Sequence, residues 1–155
     1  MKYVILLGAL ILLSSISTAS ETIGNGQYIK YIRENAKLFA IPELTLLSIC
    51  YVESKFFPKA LHKDDGHGDS IGICQVKQAT ASWLANLKVS KRSLYDPKIN
   101  SFYAAAYLRN QINRYHSINK AIVAYNLGHY SPNYTVYLNK VKKASKFLKR
   151  KLSDA

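Results

Sequence analysis

The sequence predicts a single, mainly α-helical domain, and three observations predict it. Apolar residues recur at spacings of three and four through most of the chain, the period of a helix with one buried face. Strict alternation, the mark of a half-buried strand, is weak throughout. Behind an amino-terminal leader the chain keeps 136 of its 155 residues, a length that suits one core.

The leader is read over residues 1–19. Lys2 forms a short basic region, Val4 to Leu13 an apolar run, and Ser17-Thr18-Ala19 a small-residue cleavage site. The apolar run is shorter than the ~20 residues a spanning helix needs. Cleavage near Ala19 is expected, with retention as an amino-terminal anchor the alternative. Either way the chain is expected to be exported, to the periplasm or the cell exterior, with residues 20–155 forming the domain.

A first helix is expected over Gln27 to Phe39, where Tyr28, Ile32, Ala36 and Phe39 share a face. Pro42 suits the first position of a second helix, because its missing N–H is an orphan there in any case. That helix carries Leu44, Leu47, Cys50 and Tyr51 and stops before Pro58, which biases its predecessor away from helical geometry. Glu53 therefore falls in the last turn.

From Pro58 to Gln75 the chain is rich in Asp, Gly and His without apolar periodicity, which predicts a loop or a small β-hairpin. A third helix follows over Ala79 to Leu87. Asp96-Pro97 then opens a long one through Tyr115, Asp being a good cap and Pro a good first residue. Asn119 is a candidate cap for a short helix ending near Asn126 and Gly128, where a left-handed turn closes it. The last helix starts near Thr135 and carries Val136, Val141, Phe147 and Leu148 among many lysines.

Twenty-two basic residues face nine acidic ones, for a formal charge of +13. Such a balance favours a polyanionic partner; nucleic acid, anionic membrane and anionic cell-wall polymer all qualify by charge, and export turns the expectation from nucleic acid to the envelope. Cys50 and Cys74 are the only cysteines. An even count in an oxidising compartment permits one disulfide, and two buried thiols fit equally well. No zinc-ligand pattern is present, and Asp64, Asp65, His67 and Asp69 do not follow the calcium-loop spacing, so no metal and no cofactor are expected.

Glu53 is the residue that suggests chemistry. Its helix is otherwise apolar around it (Leu46, Leu47, Ile49, Cys50, Val52), so partial desolvation is expected to favour the protonated acid. The negative end of the helix dipole acts in the same direction. Both effects suit a general acid near neutral pH. A surface carboxylate that merely ends a helix fits the same residues, so Glu53 alone leaves the choice open.

Three ordered motifs weigh on that choice. They are Glu53-Ser54 with Phe56, Pro58 and Ala60; Gly72-Ile73-Cys74-Gln75-Val76 with Ala79-Thr80-Ala81; and Ala124-Tyr125-Asn126-Leu127-Gly128. In order and spacing they resemble the Glu-Ser, Gly-Leu-Met-Gln and Ala-Tyr-Asn-Ala-Gly motifs of the lytic transglycosylases, and Asp96-Pro97 through Arg109 resembles the connecting helix of that family. The likeness spans roughly Glu34 to Val141. The loop with Asp65-Gly66 and Asp69 is more similar to the small specialised enzymes of secretion systems and pili than to the large housekeeping members.

The resemblance implies a lysozyme-like fold and cleavage of the β-1,4 bond between N-acetylmuramic acid and N-acetylglucosamine in peptidoglycan. It implies that Glu53 protonates the leaving oxygen and then acts as base on the muramyl 6-hydroxyl, closing a 1,6-anhydro ring without water. Substrate contacts fall to Ser54, Gln75, Tyr125 and Asn126. Gln75 offers a neutral amide to sugar hydroxyls or N-acetyl groups. Tyr125 can donate to Glu53 or to substrate, Asn126 also suits the turn into Gly128, and Ser54 either orients the acid or caps the helix. Cys74 stands where the family usually has Met, and Gln78 where it has Pro. Cys74 thereby comes into reach of Cys50, one turn before Glu53, and a disulfide there would pin the Glu53 helix to the Gln75 segment; two adjacent core thiols are the other reading.

Two other readings remain. A hydrolytic muramidase needs a second carboxylate ~5–10 Å from the first, for which Asp69 is the best placed, ahead of Asp64 and Asp65; all three also suit turns beside glycines. A non-catalytic cationic envelope binder would rest on the basic run from Lys140 to Lys151, which has the pattern of an amphipathic basic helix and equally of a solvated helix face. Peptidoglycan strands, anionic envelope polymers and a secretion or pilus machine are thus the candidate partners. The chain is expected to act as a monomer.

Overall fold

Six α-helices and a three-stranded antiparallel sheet enclose a single core in the computed structural model, which describes residues 25–64 and 68–153. The helices are α1 (Gly26–Leu38), α2 (Glu43–Ser54), α3 (Gln78–Ala85), α4 (Pro97–Tyr115), α5 (Ile118–Leu127) and α6 (Val136–Ser153). The architecture is the mainly α, lysozyme-like one expected. The leader reading on residues 1–19 and the residues Asp65, Gly66 and His67 lie outside the described part.

Local chemistry sets most boundaries. Asn25 caps α1 by accepting from the Gln27 N–H at 2.9 Å. Asp96 caps α4 through bonds from the N–H groups of Lys98 and Ile99, with Pro97 at the first helical position. Gly128 closes α5 at φ 81°, where its N–H bonds the Ala124 carbonyl at 2.8 Å.

Four expectations shift. Pro42 precedes α2 as its cap rather than starting it, with ψ at 122° and its carbonyl accepting from Thr45 and Leu46. Ser117, not Asn119, caps α5: its hydroxyl accepts from the Lys120 N–H, and its extended backbone ends the connection from α4. Helix α3 ends at Ala85, because Asn86 adopts the left-handed conformation at φ 51°. The expected hairpin is a sheet of three two-residue strands: β1 (Leu61–His62), β2 (Ser70–Ile71) and β3 (Val76–Lys77), paired in that order.

The long α4 is central. It packs on α1, α3 and α5, and its Ala104, Ala105 and Leu108 are buried. Arg109 bonds the carbonyls of Phe39 and Ala40, tying α4 to the turn that leads into α2. Helix α2 in turn lies along α6, which buries Tyr137, Val141, Ala144 and Leu148. Val136, expected on that buried face, is instead exposed, because the spacing of four, three and four from Tyr137 defines the stripe. Phe147 flanks it and stacks on Tyr51 of α2 at 5.4 Å.

Candidate active site

The end of α2, the β2–β3 turn, the start of α3 and the end of α5 converge on a cleft of about 250 Å³. Glu53, Gln75, Lys77, Thr80, Tyr107, Tyr125 and Asn126 supply polar groups to it. Among the described lining residues Glu53 is the sole carboxylate.

Glu53 sits in the last turn of α2, half-buried, and the helix stops immediately behind it. Lys55 and Phe56 both take left-handed backbone at φ 56° and 64°, a costly pair for residues with side chains. The buried Phe56 ring repays part of that cost by packing into the core and against Tyr51. Ser54 secures the reversal: its hydroxyl donates to the Ile73 carbonyl at 2.7 Å and accepts from the Phe57 N–H at 3.0 Å. It thus ties the end of α2 to the β2–β3 turn.

The Cys50–Cys74 disulfide makes a second tie between the same segments. Cys50 lies one turn before Glu53, and Cys74 directly precedes Gln75. Both sulfurs are fully buried.

Asn100 of α4 holds the turn from below. Its amide nitrogen donates to the carbonyls of Ile71 at 2.7 Å and Leu94 at 2.8 Å, and its oxygen accepts from the Cys74 N–H at 3.0 Å. A buried amide satisfied at both ends gives the turn a fixed position. Gly72 is what lets Asn100 come so close. It sits at φ 78°, and an added β-carbon would lie 2.4 Å from both the Asn100 amide nitrogen and the Leu94 carbonyl.

That support presents Gln75 at φ 53°, another left-handed residue with a side chain. Its amide nitrogen donates to the Gly72 carbonyl at 2.8 Å, which leaves its oxygen to accept from His62 Nδ1 at 2.5 Å. One N–H and one lone pair of the amide remain for a ligand.

Tyr125 does not donate to Glu53. Its hydroxyl bonds the Cys74 carbonyl at 2.8 Å and so braces the turn from the α5 side. Tyr137 of α6 does donate to Glu53, its hydroxyl bonding Oε1. Burial pushes both phenols well above their ordinary range, and the nearby Glu53 carboxylate adds to the effect, so each stays a protonated donor. Asn126 accepts from the Tyr134 hydroxyl at 3.1 Å, fixing the segment after Gly128. The Tyr107 and Tyr125 rings meet at 5.5 Å on the cleft wall and offer an aromatic surface to a sugar ring.

Asp69 is not among the described lining residues, although its neighbour Ser70 is. One of its oxygens pairs with Lys91 at 2.7 Å and the other accepts from the Asp64 N–H at 3.3 Å, which holds its carboxyl group below the ordinary range. Asp64 and Asp69 thus serve the loop between β1 and β2.

Sequence reasoning did not single out Tyr137, Tyr107 or Asn100. Tyr137 was open to discovery through its spacing with Val141, Ala144 and Leu148, which places it on the buried stripe of α6. Asn100 carries no such local sign, since its partners lie up to 29 positions away.

The sequence model of the transglycosylase SLT domain matches residues 30–148. The chain belongs to that family. The match takes in every cleft residue described above, extends a few residues past each end of the motif resemblance, and includes most of α6. No curated protein sequence matches the chain. Membership in the SLT family assigns the chain to the lytic transglycosylase-type enzymes acting on glycan strands.

Proposed function

We propose that this SLT domain cleaves the β-1,4 bond between N-acetylmuramic acid and N-acetylglucosamine and releases a 1,6-anhydro-muramyl end. One observation carries the reading: Glu53 reaches the cleft as its one described carboxylate, while the strongest candidate for a second, Asp69, is engaged by Lys91. A single carboxyl group suits a reaction that returns its own proton. Protonated Glu53 gives its proton to the glycosidic oxygen as the C1–O bond breaks. The resulting carboxylate then takes the proton of the muramyl 6-hydroxyl as O6 bonds to C1. Glu53 ends as it began, and no water enters.

The residues around Glu53 serve this cycle through position. Tyr137 donates to Glu53 Oε1, steadying the carboxylate that forms after the first transfer and fixing the direction of the other oxygen. Gln75 and the tyrosine pair address the sugars. Ser54 acts through the backbone of the turn, and Asn126 through Tyr134.

The chain works outside the cytoplasm in this proposal, in local remodelling of the wall for an envelope-spanning machine. The disulfide fits an oxidising compartment, and the excess of basic residues fits an anionic envelope. Digestion of purified peptidoglycan in ¹⁸O-water tests the reaction. Anhydro ends without label are expected, whereas labelled reducing muramic ends would show hydrolysis. Asp69→Asn discriminates further: it should retain cleavage, and its inactivation would return the second-carboxylate role to Asp69.

A further inference from the structure

Helix α6 contributes the Tyr137 hydroxyl that bonds Glu53, yet most of its surface has no part in the proposed reaction. Its buried stripe of Tyr137, Val141, Ala144 and Leu148 faces the core. The opposite side carries Lys142, Lys143, Lys146, Lys149 and Arg150, all exposed. At 3.6 residues per turn these five cations fall within an arc of about 120°. The whole helix, from Val136 to Ser153, contains no Asp or Glu. None of the five pairs with a carboxylate among the described residues. The row is extended at its flank, where Lys55 lies 3.9 Å over the Tyr51 ring that stacks on Phe147.

Such a row weakens the helix it sits on. Like charges three and four positions apart repel, as Lys142 and Lys146 or Lys146 and Arg150 do here. The helix dipole favours cations only in the last turn, which accounts for Lys149 and Arg150 but not for Lys142, Lys143 or Lys146. The fold therefore gains nothing from the first three, and an external anion would relieve the repulsion.

We infer that the outward face of α6 seats the enzyme on an anionic phospholipid surface. The row is a straight ridge about 12 Å long from Lys142 to Arg150, and a ridge meets a plane along its full length. A flexible anionic polymer is held better by a groove with facing walls, and single-stranded nucleic acid by rings between the cations; this arc has neither. The apolar stripe of α6 is spent on the core, so the contact is electrostatic and peripheral rather than inserted. Tyr137 lies on the stripe facing away from the row, so a seated helix leaves Glu53 uncovered. The inference is independent of the reaction chemistry.

Co-sedimentation of the purified chain with vesicles tests it, comparing phosphatidylcholine alone with equimolar phosphatidylcholine and phosphatidylglycerol. The partition coefficient should be higher on the anionic vesicles and should return to the neutral baseline at about 0.5 M NaCl, where the screening length is about 4 Å. Replacing Lys142, Lys146 and Lys149 together by Gln should weaken the anionic component roughly 100-fold, at about fivefold per cation. The same variant should cleave soluble glycan fragments as the parent does, showing that it folds. The apolar run Val4 to Leu13 is common to both chains, so its contribution cancels. Equal partition on the two vesicle types, or undiminished binding by the folded triple variant, would overturn the inference. Cation-dependent binding to an isolated anionic wall polymer without vesicle binding would also overturn it, and would give the row to that polymer.

Discussion

Replacing both Cys50 and Cys74 by Ala removes a covalent tie between the helix that carries Glu53 and the turn that carries Gln75. The two cysteines are 24 positions apart. Closing a loop of that length restricts the unfolded chain by about 3.5 kcal/mol on the loop-entropy scale. Both sulfurs are fully buried, so the alanines also leave a small void, worth about 1 kcal/mol more. For a domain of this size the loss lowers the melting temperature by roughly 10–15 °C. Ser54 and Asn100 still hold the turn through their hydrogen bonds, so the variant folds at lower temperature. Catalysis should fall further than stability explains, by about 10- to 100-fold, because the spacing of Glu53 from Gln75 is held less tightly by the hydrogen bonds alone. Calorimetry and glycan-release rates, both taken well below the lower transition, separate the two effects. Dithiothreitol should lower the stability and rate of the parent chain and leave the double variant unchanged. A melting temperature within about 3 °C of the parent together with an unchanged rate would refute this account of the disulfide.

Two further perturbations act on the phenols around Glu53. Tyr137→Phe keeps the ring in the α6 stripe and removes the donor to Oε1; a hydrogen bond to a charged group contributes about 1.5–3 kcal/mol, so kcat should fall between about 10- and 100-fold with KM little changed, as steady-state assays on solubilised strands can measure. Tyr125 and Tyr137 also tie stability to alkaline pH. Each phenol titrates higher folded than unfolded, so its contribution is complete below the ordinary phenol pKa of about 10 and declines as pH rises above it, by about 1.4 kcal/mol per pH unit for each group; urea titrations above about pH 10 should show this slope, and Tyr137→Phe should make it shallower.

How much of this was legible in the sequence depends on the range of the interaction. Helix ends set by neighbours read well: Asp96-Pro97 and Gly128 act on groups within a few residues. Where two residues of similar capping chemistry stand close together, as Ser117 and Asn119 do, the backbone path from α4 chooses between them. The sheet was legible only as a loop or small hairpin, because two-residue strands have no periodicity to read. Glu53 was visible as a polar exception on an apolar helix together with its motif. Its donor was not, because Tyr137 lies 84 positions away and meets Glu53 only when α6 packs along α2. Gln75 was found by motif, but its strained backbone and the Asn100 cradle beneath it depend on contacts between distant segments. The same holds for Asp69: its spacing from Glu53 invited a catalytic role, and only the fold brings Lys91 to it.

The central claim is that one carboxyl group, Glu53, serves as acid and then base. Mass analysis of the muropeptides released from purified peptidoglycan by the parent chain and by Glu53→Gln tests it most directly. The amide keeps the size of the side chain but can neither give the proton nor take one back. Anhydro-muramyl products from the parent and none from a folded Glu53→Gln chain are the predicted result, and anhydro products released by both at similar rates would contradict it.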